Sequence, residues 1–179
     1  MGGFNAAPKY GATSTGYYLK KYVDGGCVTT ADNQTTSRHT WIVFRLAEVY
    51  LNYAEAVFYA TGSANDDTYG MTANDAINVL RNRADIAMPE FNEDGQAWVE
   101  RYERERLVEL AFENHRFWDV RRWKKADKYF KTIQVANISS DLQLTRATVN
   151  RQWDDKNYLF PIPQSEVKKN PALGQNPGW

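Results

Sequence analysis

The feature that most constrains the fold is segment 105–123, which interleaves carboxylates, arginines and large aromatic side chains at helical spacing. Glu105, Glu109 and Glu113 recur at every fourth residue, so on an α-helix they share one face and repel one another unless cations lie beside them. Such a face either meets water or packs against a second layer through arginine forks, and we favour packing. The arginines of the same segment that can supply the charge are Arg106, Arg116, Arg121 and Arg122.

The same carboxylates raise the question of catalysis. Carboxylates about 5–9 Å apart perform glycoside hydrolysis, and Glu105 and Glu109 can meet that distance on a helix. A general acid needs a raised pKa, whereas neighbouring arginines stabilise the charged form of a carboxylate and lower its pKa. We therefore expect structural carboxylates, no catalytic residue and no enzyme, and rank a glycoside hydrolase third among the possible functions.

Composition excludes several other classes. With 179 residues, of which 42% are hydrophobic and 14% aromatic, the chain can bury one substantial core, which predicts a single domain over residues 1–179. Lys and Arg together number 22, as do Asp and Glu, so no net charge recruits nucleic acid. The single cysteine, Cys27, and the distant His39 and His115 form no metal-ligand cluster, so we expect no metal and no cofactor.

The chain divides into three parts by pattern. Residues 1–40 are rich in Gly, Thr, Ser and Asn, which predicts wrapping loops with a short strand at 16–23. Residues 43–125 have helical periodicity and predict a helical core. Residues 129–179 predict short strands at 133–136, 142–145 and 158–160, a helical turn at 164–169 and a turn-rich tail.

Three helices are predicted within the core. The first spans 43–61 and is apolar nearly all round, apart from one narrow polar stripe, so it must pack on at least two sides. Thr72 and Asp75 fit a capping box that opens the second helix. Its buried stripe is predicted to be Ala76, Ile77, Leu80 and Ala84. The third helix is expected at 96–114, with a bend before it continues to 125.

Five motifs in this order together resemble the C-terminal region of the SusD/RagB family. They are Phe44-Arg-Leu-Ala-Glu-Val-Tyr-Leu-Asn-Tyr-Ala-Glu-Ala56, Ala76-Ile-Asn-Val-Leu-Arg-Asn-Arg-Ala84, segment 105–123, Phe160-Pro-Ile-Pro163 and Gln175-Asn-Pro-Gly-Trp179. The resemblance implies a mainly α-helical fold, namely part of a tetratricopeptide-like α-α superhelix with a small irregular β element. It also implies a longer parent protein whose upstream part carries the lipid anchor and most of the repeats.

The resemblance further implies a non-catalytic nutrient binder on the outer-membrane surface. Its partners would be an oligosaccharide, or in some members a peptide, and a SusC-like TonB-dependent transporter that imports the ligand. The parent would be held at the membrane through a lipid anchor that this chain does not contain. The alternative is a tetratricopeptide-like protein–protein interaction module, because the first two predicted helices match part of that repeat.

Two sets of residues are predicted to matter. Carboxylates and arginines of the motifs are expected to tie the helices together through partly buried ion pairs: Glu48, Glu55, Arg81, Arg83, Glu105, Arg106, Glu109, Glu113, Arg116, Asp119 and Arg122. Sugar rings present apolar faces edged by hydroxyls, so aromatic residues with polar neighbours are the ligand-binding candidates. These are Trp41, Tyr69, Trp153 and Tyr158.

Overall fold

The computed structural model describes residues 19–24, 26–27, 29–30, 33–34, 36–37, 39–84, 86–138, 143–170 and 172–179. The chain forms two compact units. The helical unit is Asp24–Arg116, and the terminal unit combines Met1–Val23 with Phe117–Trp179. The grouping of residues 1–179 into one domain stays a prediction.

The helical unit begins with a short antiparallel pair, β1 (Thr29–Thr30) and β2 (Asn33–Gln34), and continues into helix α1. Helix α1 is Leu46–Thr61, which confirms the first predicted helix but starts three residues later than position 43. Arg45 is extended and precedes the helix, so the side chains before it do not join the helical stripe. Gly62 ends α1 in the left-handed conformation and donates its N–H to the Phe58 carbonyl.

Helix α2 is Ala73–Arg81, and the predicted capping box is confirmed. The Thr72 side chain accepts from the Asp75 N–H, and the Asp75 side chain accepts from the Thr72 N–H. The predicted stripe is buried at Ala76, Ile77 and Leu80. It is wrong for Ala84, which is exposed because the helix ends at Arg81.

Helix α3 is Gly95–Glu109, so the prediction of a helix to 114 was too long. Phe112 and Asn114 have φ angles of 64° and 66°, which a right-handed helix cannot contain. The predicted bend is therefore a turn, after which α4 (His115–Arg122) begins. At its start, α3 is capped by Asp94, which also accepts from the Ser63 hydroxyl and the Ala64 N–H.

An aromatic stack forms the centre of the helical unit. Trp98 of α3 lies between Phe58 of α1 and Tyr102 of α3, with ring centroids 4.2 Å and 4.7 Å apart and nearly parallel planes. The Trp98 indole donates to the Asn74 side chain of α2 at 3.1 Å. One buried side chain thus ties three helices together while its only polar atom stays hydrogen-bonded.

The terminal unit contains most of α4, whose first residues belong to the helical unit, then α5 (Ala126–Tyr129). A β-hairpin follows: β3 (Thr132–Ile138) pairs antiparallel with β4 (Leu144–Asn150), from Thr132 opposite Asn150 to Ile138 opposite Leu144. The predicted strands at 133–136 and 142–145 are confirmed as a hairpin; residue 142 lies outside the described residues, and the second strand is Leu144–Asn150.

Other elements of the terminal unit differ from expectation. The strand predicted at 158–160 is wrong, because Asp155–Tyr158 form a 3-10 helix capped by the Asp154 side chain. The predicted turn at 164–169 is confirmed as α6 (Gln164–Lys169). Of the strand predicted at 16–23, residues 16–18 lie outside the described residues, and residues 19–23 contain a turn rather than a strand.

The last two sequence motifs meet in the terminal unit. The Gln175 side chain pairs with both backbone polar groups of Ile162, at 2.7 Å and 2.8 Å. The Asn176 amide donates to the Phe160 carbonyl, and the Trp179 indole donates to the carbonyls of Lys156 and Leu159. The C-terminal motif therefore fixes the position of the segment that carries Phe160 through hydrogen bonds.

None of the helices in the described residues combines the length and apolar character needed to cross a bilayer.

Candidate functional site

Arg45, the residue before α1, meets carboxylates at and just after the end of α3 in an ion-pair network. Arg45 donates from Nη1 to Glu109 at 2.6 Å and from Nε to Glu113 at 2.8 Å. Arg83, which follows α2, donates to Glu109 at 3.0 Å and 3.2 Å. Burial favours a raised pKa for Glu109, but the hydrogen bonds and charges of Arg45 and Arg83 outweigh it and lower that pKa.

The remaining predicted members of the network lie in several local contacts. Arg81 is paired with Glu105, and Arg122 with Asp119 at 3.0 Å. Three further predicted members contact residues outside the predicted set. Glu48 lies 3.4 Å from His115, Glu55 accepts from the Tyr102 hydroxyl, and Arg106 donates to the Asn52 side chain. Arg116 is half-buried at the end of the helical unit.

Sequence reasoning omitted Arg45 from the network. The cations beside the carboxylates of α3 include Arg45, Arg81 and Arg83, none of which lies in segment 105–123. The available signal was the periodicity of the sequence, which places Arg45 on the polar stripe of the first predicted helix. Charge pairing of this kind positions helices, and the lowered pKa of Glu109 is the opposite of the raised pKa that a general acid needs. Within the described ranges, no three His, Cys, Asp or Glu side chains converge as metal ligands.

The four aromatic ligand candidates divide between the two units. Trp41 and Tyr69 belong to the helical unit, and each is more than half exposed. Trp153 and Tyr158 belong to the terminal unit, with ring centroids 5.1 Å apart in an edge-to-face contact. Trp153 also packs on Phe130 at 5.4 Å, so its ring serves the aromatic packing of this unit. Tyr158 lines a cleft.

This aromatic cleft has a volume of about 930 Å³ and lies entirely among residues of the terminal unit. Its aromatic walls are Trp118 of α4, Tyr158 of the 3-10 helix and Phe160. The Trp118 and Phe160 rings are 5.8 Å apart at an angle of 61°, and the two residues are 55% and 54% exposed. Large aromatic faces that remain open to solvent in a concave site can bind an apolar ligand surface.

Local hydrogen bonds hold the walls of the cleft in place. The Tyr158 hydroxyl accepts from the Ala126 N–H at 3.1 Å, and the Phe160 carbonyl is held by Asn176. The Arg121 guanidinium of α4 stacks on the Phe160 ring with its central carbon 4.2 Å from the ring centroid. Sequence reasoning missed Trp118 and Phe160 as site residues because their motifs were assigned to architecture. The sequence feature that could have identified Trp118 is a large aromatic side chain in a motif that also carries arginines.

Comparison with known proteins identifies the class. The chain belongs to the SusD family, whose family model matches residues 2–179. It is similar to SusD-like protein P25 of Formosa agariphila, with 33% identity over 147 residues, which cover 79% of this chain and 25% of that protein. It also resembles the crystal structure of a SusD-like protein from Bacteroides fragilis NCTC 9343, with a TM-score of 0.65 and 37% identity over 78% of this chain and 26% of the other.

These matches confirm the resemblance found in the five motifs, and with it the fold class: mainly α-helical, tetratricopeptide-like, with a small β element. The chain spans about a quarter of the length of the relatives it matches.

Proposed function

We propose that this chain is part of a non-catalytic glycan-binding protein that presents oligosaccharides to a SusC-like TonB-dependent transporter. The observation that carries the proposal is the family match over residues 2–179, because SusD-family proteins bind glycans at the cell surface. The parent protein would act on the outer-membrane surface, held by a lipid anchor. A peptide is the other ligand class that the resemblance allows.

The aromatic cleft is the ligand site we propose for this chain. A pyranose ring has apolar C–H faces that pack on aromatic rings and hydroxyl edges that take hydrogen bonds. Trp118 and Phe160 offer exposed faces at an angle to each other, while charged side chains lie around them. Trp41 and Tyr69 belong to the helical unit and do not line the cleft, so we rank them below Trp118 and Tyr158 as ligand contacts.

Calorimetric titration of this chain with a panel of oligosaccharides tests the proposal. We expect saturable binding of at least one glycan, accompanied by a change in tryptophan fluorescence. Stacking on Trp118 is worth about 1–2 kcal/mol, so Trp118→Ala should weaken binding about tenfold. The matched control is Phe112→Ala, which removes an exposed aromatic side chain of the helical unit, at a residue that is 65% exposed against 55% for Trp118. Equal affinities for both variants and the unmodified chain would remove the cleft from the proposal.

A protein–protein interaction module is the second candidate, and one observation favours it. Val43, Phe44 and Leu46, around the start of α1, are 84%, 61% and 66% exposed, which is an unusual concentration of apolar surface. Binding of a polypeptide partner that is lost in Phe44→Ser, together with no binding of any saccharide, would support the interaction module over the glycan binder. Release of reducing ends that disappears in Glu105→Gln would revive the hydrolase.

A further inference from the structure

The charged residues of the aromatic cleft are strongly unequal in sign. Four cationic side chains line it, namely Arg121, Arg122, Lys124 and Lys156. Among its lining residues, which all lie in the described part of the chain, the only carboxylate is Asp155. Asp155 also acts on Lys131, whose pKa is raised mainly by the hydrogen bond and charge of Asp127 and to a lesser extent by Asp155. The cleft therefore keeps an excess of positive charge.

Arg121 is the most informative of these cations. Its residue is only 9% exposed, and its guanidinium stacks on Phe160 at 4.2 Å and Phe117 at 4.9 Å. Within the described residues, no carboxylate or hydrogen-bond acceptor contacts its guanidinium. Burying a charge is costly unless it is paired, and stacking on aromatic rings compensates only part of that cost. An anion that entered the cleft would complete the pairing.

The other cations of the cleft differ in how far carboxylates of this chain already neutralise their charge. Arg122 donates to Asp119 at 3.0 Å and lies over the Trp123 ring, so part of its charge is neutralised. The Lys156 ammonium lies 4.7 Å from the centroid of the Trp179 ring, and this contact leaves its charge in place. Lys124 is exposed, and its side chain meets no acid in the part of the chain that the structure describes. Lys124 and Lys156 thus add to the positive electrostatic potential around Arg121.

We infer that the aromatic cleft selects acidic oligosaccharides, whose carboxylate or sulfate group pairs with Arg121 while a sugar ring packs on Phe160 and Trp118. The planar guanidinium matches either group with two parallel hydrogen bonds. Because Arg121 stacks directly on Phe160, a sugar whose acidic group reaches Arg121 has its ring beside the same aromatic wall. The inference rests on the proposed glycan-binding function and names the class of glycan.

The test compares charged and neutral forms of the same sugar on the full 179-residue chain. The probes are tetragalacturonate and its methyl ester, and a sulfated galactan oligosaccharide and its desulfated form. We expect at least one acidic probe to bind about tenfold tighter than its neutral partner, a preference that weakens as salt is raised. The carboxylate and sulfate pairs show which anionic group is favoured, and a preference in either pair supports the inference.

Variants assign the preference to the cleft. Arg121→Gln should remove most of the preference for the acidic probe over its neutral partner. Because Arg121 also packs on aromatic rings, Lys124→Gln is a second test at an exposed position, with an expected loss of about two- to threefold for the acidic probe alone. The matched control is Lys168→Gln, an exposed lysine of α6 outside the cleft.

The outcomes separate this inference from the proposed function. Equal binding of acidic and neutral probes that depends on Trp118 would overturn the inference and leave glycan binding intact. Binding of acidic probes that is unaffected by Arg121→Gln and Lys124→Gln would also overturn it. Absence of binding for every probe, acidic or neutral, would overturn the proposed glycan site itself.

Discussion

Replacing Glu109 with alanine removes the carboxylate that Arg45 and Arg83 share. The pairs are partly buried: the side chains of Glu109, Arg45 and Arg83 are 16%, 22% and 38% exposed. Leaving a fully buried charge without its partner costs about 3–5 kcal/mol, whereas an exposed pair contributes about 0–1 kcal/mol. This site lies between those limits and closer to the buried one, so we expect Glu109→Ala to lower the free energy of unfolding by about 2–3 kcal/mol.

The assay is thermal unfolding followed by circular dichroism. A chain of this size loses about 2–4 °C of melting temperature per kcal/mol, so the expected decrease is about 4–12 °C. The control is Glu100→Ala, which removes the same charge from an exposed position of the same helix. A Glu109→Ala decrease no larger than that of Glu100→Ala would refute the reasoning that the network fixes α1 against α3.

The effect should also depend on pH in a defined direction. Burial opposes the shift, but Arg45 and Arg83 lower the pKa of folded Glu109 below its usual value near 4.5. A carboxylate with a lowered folded pKa contributes stability above the unfolded pKa and loses it as the pH falls through the folded pKa. The difference in unfolding free energy between the unmodified chain and Glu109→Ala should therefore be full at neutral pH and shrink in acid below 4.5. A difference that grows in acid would contradict this assignment.

Two further substitutions test other parts of the account. Gly178→Ala should lower the melting temperature, because φ at Gly178 is +85° and a new Cβ would lie 2.8 Å from the Lys156 Cβ. The control is Gly174→Ala, whose new Cβ meets nothing within 4 Å and should leave the melting temperature unchanged. The left-handed backbone alone costs about 1–2 kcal/mol, and equal melting temperatures would disprove the close approach. The Asn78 amide accepts from the Phe91 N–H at 2.8 Å and donates to the Phe91 carbonyl at 2.9 Å. Asn78→Ala removes both hydrogen bonds and leaves these buried backbone groups unpaired. Urea denaturation should show a loss of about 2–4 kcal/mol, and a loss near zero would mean that water replaces the amide.

The sequence predicted those elements whose cause is local. The periodicity of α1 and the capping box of α2 act within a few residues: the capping box appears where expected, and α1 ends at the expected residue although it starts three residues later. The end of α3 was misplaced because positive φ angles at Phe112 and Asn114 leave no periodic signal. A strand at 158–160 was wrong because three residues cannot distinguish a strand from a 3-10 turn capped by a preceding aspartate.

Contacts between distant residues could not be predicted in the same way. Which arginine meets Glu109 depends on how α1 packs on α3, and Arg45 is 64 positions away in sequence. The same holds for the aromatic cleft, where α4 supplies Trp118 and a later segment supplies Phe160. The motifs identified the family without showing that their aromatic residues converge. Tyr158 was the only predicted ligand candidate among the lining residues of the cleft.

The central claim, that the aromatic cleft binds glycan, is tested most directly by NMR mapping of a bound oligosaccharide. Amide and indole resonances would be followed during titration, with the buried Trp98 indole as an internal reference. We predict that the largest shifts fall on Trp118, Tyr158 and Phe160, while Trp98 stays in place. Shifts concentrated around Trp41 or Tyr69 in the helical unit, with the cleft residues unchanged, would contradict the claim.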